Sequence, residues 1–282
     1  MTTIHERARR YEQAHDIKES VHGTHRWRYA IGKGTGDAVL LLTGGMGLGL
    51  GWLDLALAFE GDYRPVIVDY PPTVTSLDAI AEGALGVLDA ERISWAHVIG
   101  QSAGGMAAEL LSRRAPDRVR TLTFSGSGLY GPEDMERLTG RKDAVSALSP
   151  EVFRAETLAS FRATWKDSPE VPFWLAQIEA LLDSGAAQEA SSGMLDALVD
   201  LARRLPDLER QTAWQGPTLI IRASDDPLIT ETQARRLIDL HPDCELLTFP
   251  SGGHSLLLTR PDDYIKAVKE HLARHRVGAG HV

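Results

Sequence analysis

Two patterns of apolar and polar positions divide the chain. Residues 17–31 (IKESVHGTHRWRYAI) alternate apolar with polar around His22-Gly23. Alternation about a turn signal predicts a β-hairpin. Further on the alternation gives way to short, nearly continuous apolar runs: 38–43 (AVLLLT), 65–69 (PVIVD), 96–100 (AHVIG), 119–124 (VRTLTF), 218–223 (TLIIRA) and 245–249 (ELLTF). Such runs fit strands covered on both faces, as in a parallel sheet. Helical stretches separate them at 52–60, 76–91, 103–114, 230–241 and 262–275, and a short surface helix is expected at 2–15. Strand alternating with helix predicts an open, mostly parallel α/β sheet flanked by helices.

Two helix starts are written in side-chain chemistry. Thr230-Glu231-Thr232-Gln233 is a capping-box pattern, in which Gln233 reaches back to the Thr230 amide. Pro261 suits a first helical turn, and Asp262 and Asp263 suit the positive end of the helix dipole.

One interval breaks the alternation. Residues 126–215 contain no convincing strand but do contain helical segments such as 151–165, 172–183 and 193–205, interrupted at Ser168-Pro169, Ser184-Gly185 and Leu205-Pro206. About 90 residues is far too long for a plain crossover loop. The expectation is a helical cap inserted at 126–215 into an α/β core made of 1–125 and 216–282. Phe153, Phe161, Trp165, Phe173 and Trp174 fall in this interval, mostly as packing residues, with one or two expected to reach a substrate pocket.

Composition removes several classes of protein. The 282 residues are 43% hydrophobic and 24% charged, with one cysteine, which excludes a disordered chain and a disulfide miniprotein. A net charge of −9 and short, scattered arginine pairs speak against nucleic acid as a partner. Cys244 alone makes no intramolecular disulfide and no cysteine-ligated metal site, and is expected to be a structural thiol. The charged N-terminal segment lacks the apolar core of a secretory signal, and no apolar run is long enough to span a membrane. A cytoplasmic protein acting on a small molecule is therefore expected.

The chemistry concentrates in three places. Gly100-Gln101-Ser102-Ala103-Gly104 follows a predicted strand and opens a predicted helix. This is G-x-S-x-G in its strand–turn–helix setting, where the tight turn lifts the serine hydroxyl clear of the sheet. Side chains at 100 and 104 would collide across that turn. A serine needs a base, and His254, in Ser251-Gly252-Gly253-His254-Ser255, sits at the carboxyl end of a predicted parallel strand. The other nine histidines fall in strands, on helices or in peripheral segments. The base needs an orienting carboxylate. Ser224-Asp225-Asp226-Pro227 offers two, with Asp226 preferred and Asp225 expected to cap the turn.

The order Ser102, Asp226, His254 is similar to that of the α/β-hydrolase superfamily. The resemblance runs over residues 17–275 and includes Pro116-Asp117-Arg118-Val119, the acid turn at 224–227 and Gly253-His254. It implies the α/β-hydrolase fold and no metal or cofactor. It also implies an oxyanion hole built from the Ala103 amide and an amide of the loop Thr43-Gly44-Gly45-Met46-Gly47-Leu48-Gly49, with Gly45 the expected donor and Met46 the alternative. Thr43 departs from the histidine many family members carry there. The Gly45 and Gly47 spacing hints at a dinucleotide loop, but no βαβ fingerprint with a ribose-binding acid follows. Three short segments, His25-Arg26-Trp27-Arg28-Tyr29, Tyr63-Arg64-Pro65-Val66-Ile67 and Asp69-Tyr70-Pro71, resemble the maspardin-like branch, which is discussed as a binding protein.

The expected activity is hydrolysis of a small-to-medium hydrophobic ester or thioester through an acyl-enzyme. The rivals are carbon–carbon bond hydrolysis by the same residues and a non-hydrolytic role on the same fold, as a binding adaptor or a biosynthetic cyclisation enzyme. Met46, Leu48, Leu50, Trp52 and Tyr130 are candidates for either the pocket wall or the core.

Overall fold

The computed structural model describes residues 2–165 and 168–276. Its strands are β1 (His15–His22), β2 (His25–Gly32), β3 (Asp37–Leu42), β4 (Tyr63–Asp69), β5 (Ala96–Gln101), β6 (Val119–Ser125), β7 (Thr218–Ala223) and β8 (Glu245–Phe249). They form one eight-stranded sheet in the order β1-β2-β4-β3-β5-β6-β7-β8. The β1–β2 and β2–β4 pairs are antiparallel and the remaining pairs are parallel. The hairpin closes at Gly23, whose φ of +60° places it in the left-handed region that suits glycine. Val39, Leu40, Leu41 and Leu42 of β3 are all fully buried. A run without alternation is what a strand covered on both faces requires.

Before β6 come helices α1 (Ile4–Ala14), α2 (Leu53–Ala58), α3 (Leu77–Ala90) and α4 (Ala103–Arg114). Between β6 and β7 come α5 (Met135–Ala147), α6 (Pro150–Thr164), α7 (Val171–Leu182) and α8 (Ala187–Glu209). The last three are α9 (Glu231–Leu240), α10 (Leu256–Thr259) and α11 (Pro261–Arg274). Both bonds of the Thr230–Gln233 capping box are present, and α11 starts on Pro261. The two faces of the sheet carry separate cores. On one, Trp27, Leu40, Leu77, Leu111 and Phe124 pack together with α3 and α4. On the other, Leu41, Phe59, Ile67, Tyr264 and Leu272 pack together with α1, α2 and α11.

The helices between β6 and β7 differ from expectation in two respects. The sequence segments did not include α5, whose 13 residues bury only Leu138 and carry Gly140 at their centre. A helix with so narrow an apolar stripe leaves little periodic signal. The expected break at Leu205-Pro206 is absent, because α8 runs through Pro206 to Glu209. Leu201, Ala202, Leu205 and Leu208 are buried in the α3/α4 core. Their burial outweighs the amide and the space that a mid-helix proline removes, about 3 kcal/mol.

Candidate active site

The chain leaves β3 towards β4 on one side of the sheet and continues through β5 and β6 on the other. Where the winding reverses, the loops beyond the carboxyl ends of β3 and β5 diverge and leave a crevice. Residues 43–49 leave β3 there, and Ser102 follows β5 there.

Ser102 has φ 54° and ψ −123°, a left-handed backbone shared, among non-glycine residues described, only with Arg92. Such a conformation costs about 1–3 kcal/mol and persists only where its surroundings enforce it. Here they do. The Ser102 amide donates to the Ser125 carbonyl at 3.0 Å, and the Ser102 carbonyl accepts from Gly105 N at 2.9 Å and from Ser127 Oγ at 2.8 Å. A Cβ on Gly100 would lie 2.3 Å from the Gly104 carbonyl oxygen, and one on Gly104 would lie 2.3 Å from that of Leu42. Ala103 opens α4, so its amide has no acceptor within the helix.

His254 and Asp226 meet directly. His254 Nδ1 stands 2.9 Å from Asp226 Oδ2 and 3.1 Å from Oδ1, with both side chains nearly sealed from solvent. Asp226 Oδ1 also accepts from the Leu228 and Ile229 amides at 2.8 and 3.2 Å. Asp225 points the other way, and its carboxylate accepts from the Gly253 and Gly252 amides at 2.8 and 3.3 Å. Those amides, Gly253 first, hold the Asp225 carboxyl below its usual range. One aspartate thus faces the ring and its neighbour holds the loop that presents the ring. No direct hydrogen bond joins Ser102 to His254 among the described residues. Catalytic contacts of this kind are often long before substrate arrives.

Two residues here have no place in the sequence reading. Gly126 follows β6 with φ +49°, and a Cβ on it would fall 2.8 Å from the His254 carbonyl oxygen. Ser127 bonds the turn that carries Ser102. The signal that marks them is the run Ser125-Gly126-Ser127-Gly128 at a strand's carboxyl end.

The loop after β3 borders the same crevice. Gly47 N donates to Gly44 O at 2.9 Å, closing a turn around Gly45 and Met46. A Cβ on Gly44 would be 3.5 Å from Ser102 Cβ, and one on Gly45 would be 3.3 Å from Met194 Cγ of α8. Trp165, the residue that follows α6, donates from Nε1 to Ser255 Oγ, beside His254, at 3.4 Å. Trp52, Leu48 and Leu50 belong to one core cluster and Tyr130 to the other.

Other titratable groups lie elsewhere. Glu245, His271 and His275 could offer a metal one donor atom each, all within 4.8 Å of one another. The Glu245 carboxylate is already shared between Arg274 and His271 Nδ1 (3.0 Å), and Arg120 bonds the His275 carbonyl. Two guanidiniums beside the group leave it suited to pinning α11 onto β8 and ill suited to a cation. A cavity of about 710 Å³ opens at the amino ends of the strands beside Lys18, Arg64, Arg92 and Trp95. Lys18 and Arg64 both pair with Glu91.

The model of the alpha/beta hydrolase family matches residues 39–267, and the chain belongs to that family. It is 26% identical over 263 residues to a 2-hydroxy-6-oxononadienedioate/2-hydroxy-6-oxononatrienedioate hydrolase of Burkholderia vietnamiensis, covering 86% of this chain and 89% of that one. It is likewise 26% identical over 282 residues to the rhodomycin D methylesterase DauP of a Streptomyces species, covering 87% and 94%. The crystal structure of a hydrolase from Pseudomonas aeruginosa superposes with a TM-score of 0.76 at 20% identity, over 91% of this chain and 98% of that one. Among the described residues no helix is long and apolar enough to cross a membrane.

Proposed function

We propose that the protein is a serine hydrolase that cleaves a carboxylic ester or thioester of a small-to-medium hydrophobic substrate. The observation that carries this reading is the aspartate–histidine pair at 2.9 Å beside a serine held in a left-handed turn at the sheet's switch point. Ser102 Oγ attacks the carbonyl carbon, and His254 Nε2 takes its proton. Asp226, on Nδ1, fixes the tautomer and stabilises the imidazolium. The Ala103 amide and an amide of the 43–49 loop, Gly45 foremost, hold the oxyanion. His254 returns the proton to the leaving group and then activates the water that releases the acyl chain. Helices α5–α8 cap this site, with Met194 and Trp165 reaching it from above. The methylesterase relative supports ester cleavage, and the oxononadienedioate hydrolase favours a second reading, carbon–carbon cleavage by the same three residues.

Intact-mass labelling with a fluorophosphonate, wild type against Ser102→Ala, tests the reading. A single adduct that vanishes in the variant is expected. A folded wild type that takes no adduct would favour a non-hydrolytic role. A panel of p-nitrophenyl esters, acyl thioesters and a vinylogous diketone then separates the reactions.

A further inference from the structure

We infer that Asp69 and Tyr70, at the carboxyl end of β4, are positioning residues that set the oxyanion loop from both of its ends. The inference rests on the hydrolase reading above. Thr43, where the loop leaves β3, is buried, and its own hydroxyl finds no partner. Its carbonyl oxygen is held from two sides. The Tyr70 hydroxyl donates to it at 2.8 Å, and a Cβ on Gly104, at the start of the nucleophile helix, would touch it at 2.4 Å. A peptide is planar, so fixing the Thr43 carbonyl fixes the direction of the Gly44 N–H and with it the entry into Gly45. The Tyr70 side chain also backs the turn. A Cβ on Gly47, whose φ is +67°, would meet Tyr70 Cβ at 3.4 Å.

The far end of the loop is tied to the neighbouring residue. Asp69 Oδ1 accepts from the Gly49 amide at 3.0 Å, while Oδ2 is held by Arg28 of β2 at 2.6 Å. Asp69 ends β4 and Tyr70 is the residue after it, so two adjacent residues grip the loop at Gly49 and at Thr43. Thr43 lacks the imidazole that the family resemblance places there, and the Tyr70 hydroxyl supplies a polar support from the next strand instead. Neither residue touches substrate in this assignment. Each acts by where it holds the backbone donor.

Tyr70→Phe keeps the Cβ that lies against Gly47 and removes one O–H. In the full-length enzyme, assayed on p-nitrophenyl butyrate, kcat is expected to fall about tenfold, a fraction of the hundredfold or more that follows loss of a whole oxyanion donor. KM should stay within about twofold, the melting temperature should not change, and fluorophosphonate labelling should slow by the same factor as kcat. For Asp69, an Asn variant retains an acceptor for the Gly49 amide and should keep most activity, whereas an Ala variant should not. A kcat within twofold of wild type in Tyr70→Phe, or a loss that tracks KM or the melting temperature, overturns the assignment. Ser102→Ala serves as the control. If that variant is inert while Tyr70→Phe is unimpaired, the positioning role alone fails; if Ser102→Ala still turns over substrate, the hydrolase reading fails and the role falls with it.

Discussion

The two edges of the central sheet differ in kind. The amino edge holds an open cleft of about 710 Å³, walled by Lys18, Arg64, Arg92 and Trp95. The two cations that pair with Glu91 there are spent on holding β1 and β4 to the end of α3. The carboxyl edge carries the serine on its left-handed turn and the aligned Asp226–His254 pair. A large pocket is the ordinary first guess for a functional site. Here that cleft and the cluster of Ser102, Asp226 and His254 lie at opposite ends of the sheet, and strand direction is the guide to the cluster. Loops at the carboxyl ends of a parallel sheet diverge where its winding reverses, and only there do β3, β5, β6 and β7 deliver their following residues to one place.

Substitutions and pH can break this contrast or sharpen it. Asp226→Asn should have the largest effect. It keeps an acceptor for the Leu228 and Ile229 amides but no longer holds the ring as a carboxylate does, so kcat should drop by about 10⁴ with little change in melting temperature. Steady-state kinetics beside a thermal melt measure both, and an Asn variant with nearly full activity would remove the carboxyl edge from consideration. Gly104→Ala comes next. Its Cβ would sit 2.3 and 2.4 Å from two backbone oxygens, so the helix must shift. We expect about 1–3 kcal/mol of lost stability and, in the fraction that still folds, a loss of turnover larger than the loss of folded protein. Urea titration with active-site counting separates the two.

The amino edge should be the acid-sensitive one. Burial pushes the His97 imidazole down to about 3, with His271 and Arg120 nearby acting in the same direction. An unfolded chain protonates this ring near pH 6.5 and the folded protein only near 3. Between those values the unfolded state binds the extra proton, so stability falls as pH falls, by up to about 1.4 kcal/mol per unit. Burial lowers His271 and His15 as well, in the same sense. Unfolding midpoints from pH 6.5 to 4 should therefore decline, and less steeply in His97→Gln; parallel slopes in the two proteins would sink this account. The smallest expected effect is Arg92→Gly. Arg92 is exposed with φ 56°, and relief of a left-handed conformation should raise stability by at most about 1 kcal/mol and leave turnover untouched. A change in turnover would show that the amino edge communicates with the site.

Much of the fold can be read from residue patterns because its physics is local. In β2 the alternation marks a covered face, with Trp27, Tyr29 and Ile31 buried, whereas the apolar positions of β1, Ile17 and Val21, stand exposed; the inner strands do not alternate because both of their faces are covered. The first turns of α9 and α11 announce themselves through Thr230, Gln233 and Pro261. Helix α5 is silent because Leu138 alone is buried, and the passage of α8 through Pro206 is decided by distant packing that no local signal carries. The serine turn is readable because glycines must stand at 100 and 104 around it. The roles of Gly126 and Ser127 are not, since they depend on how close the 254 loop and α4 come in space. Tyr70 is hidden in the same way. Nothing in Asp69-Tyr70-Pro71 says that its hydroxyl will meet a carbonyl 27 residues earlier in the chain.

The path of α8 bears on how this protein can be re-engineered. Its carboxyl half supplies Leu201, Ala202, Leu205 and Leu208 to the same cluster as Leu40 and Phe124, and Arg204 reaches Asp78 on α3. The helices between β6 and β7 are therefore not an interchangeable module. A chimera that replaced residues 126–215 with the corresponding stretch of a relative would leave four apolar sockets in the sheet's own interior unless the donor helix filled them. Junctions placed near residue 200, keeping the last turns of α8 with the recipient, should yield soluble hybrids where junctions at 215 yield inclusion bodies.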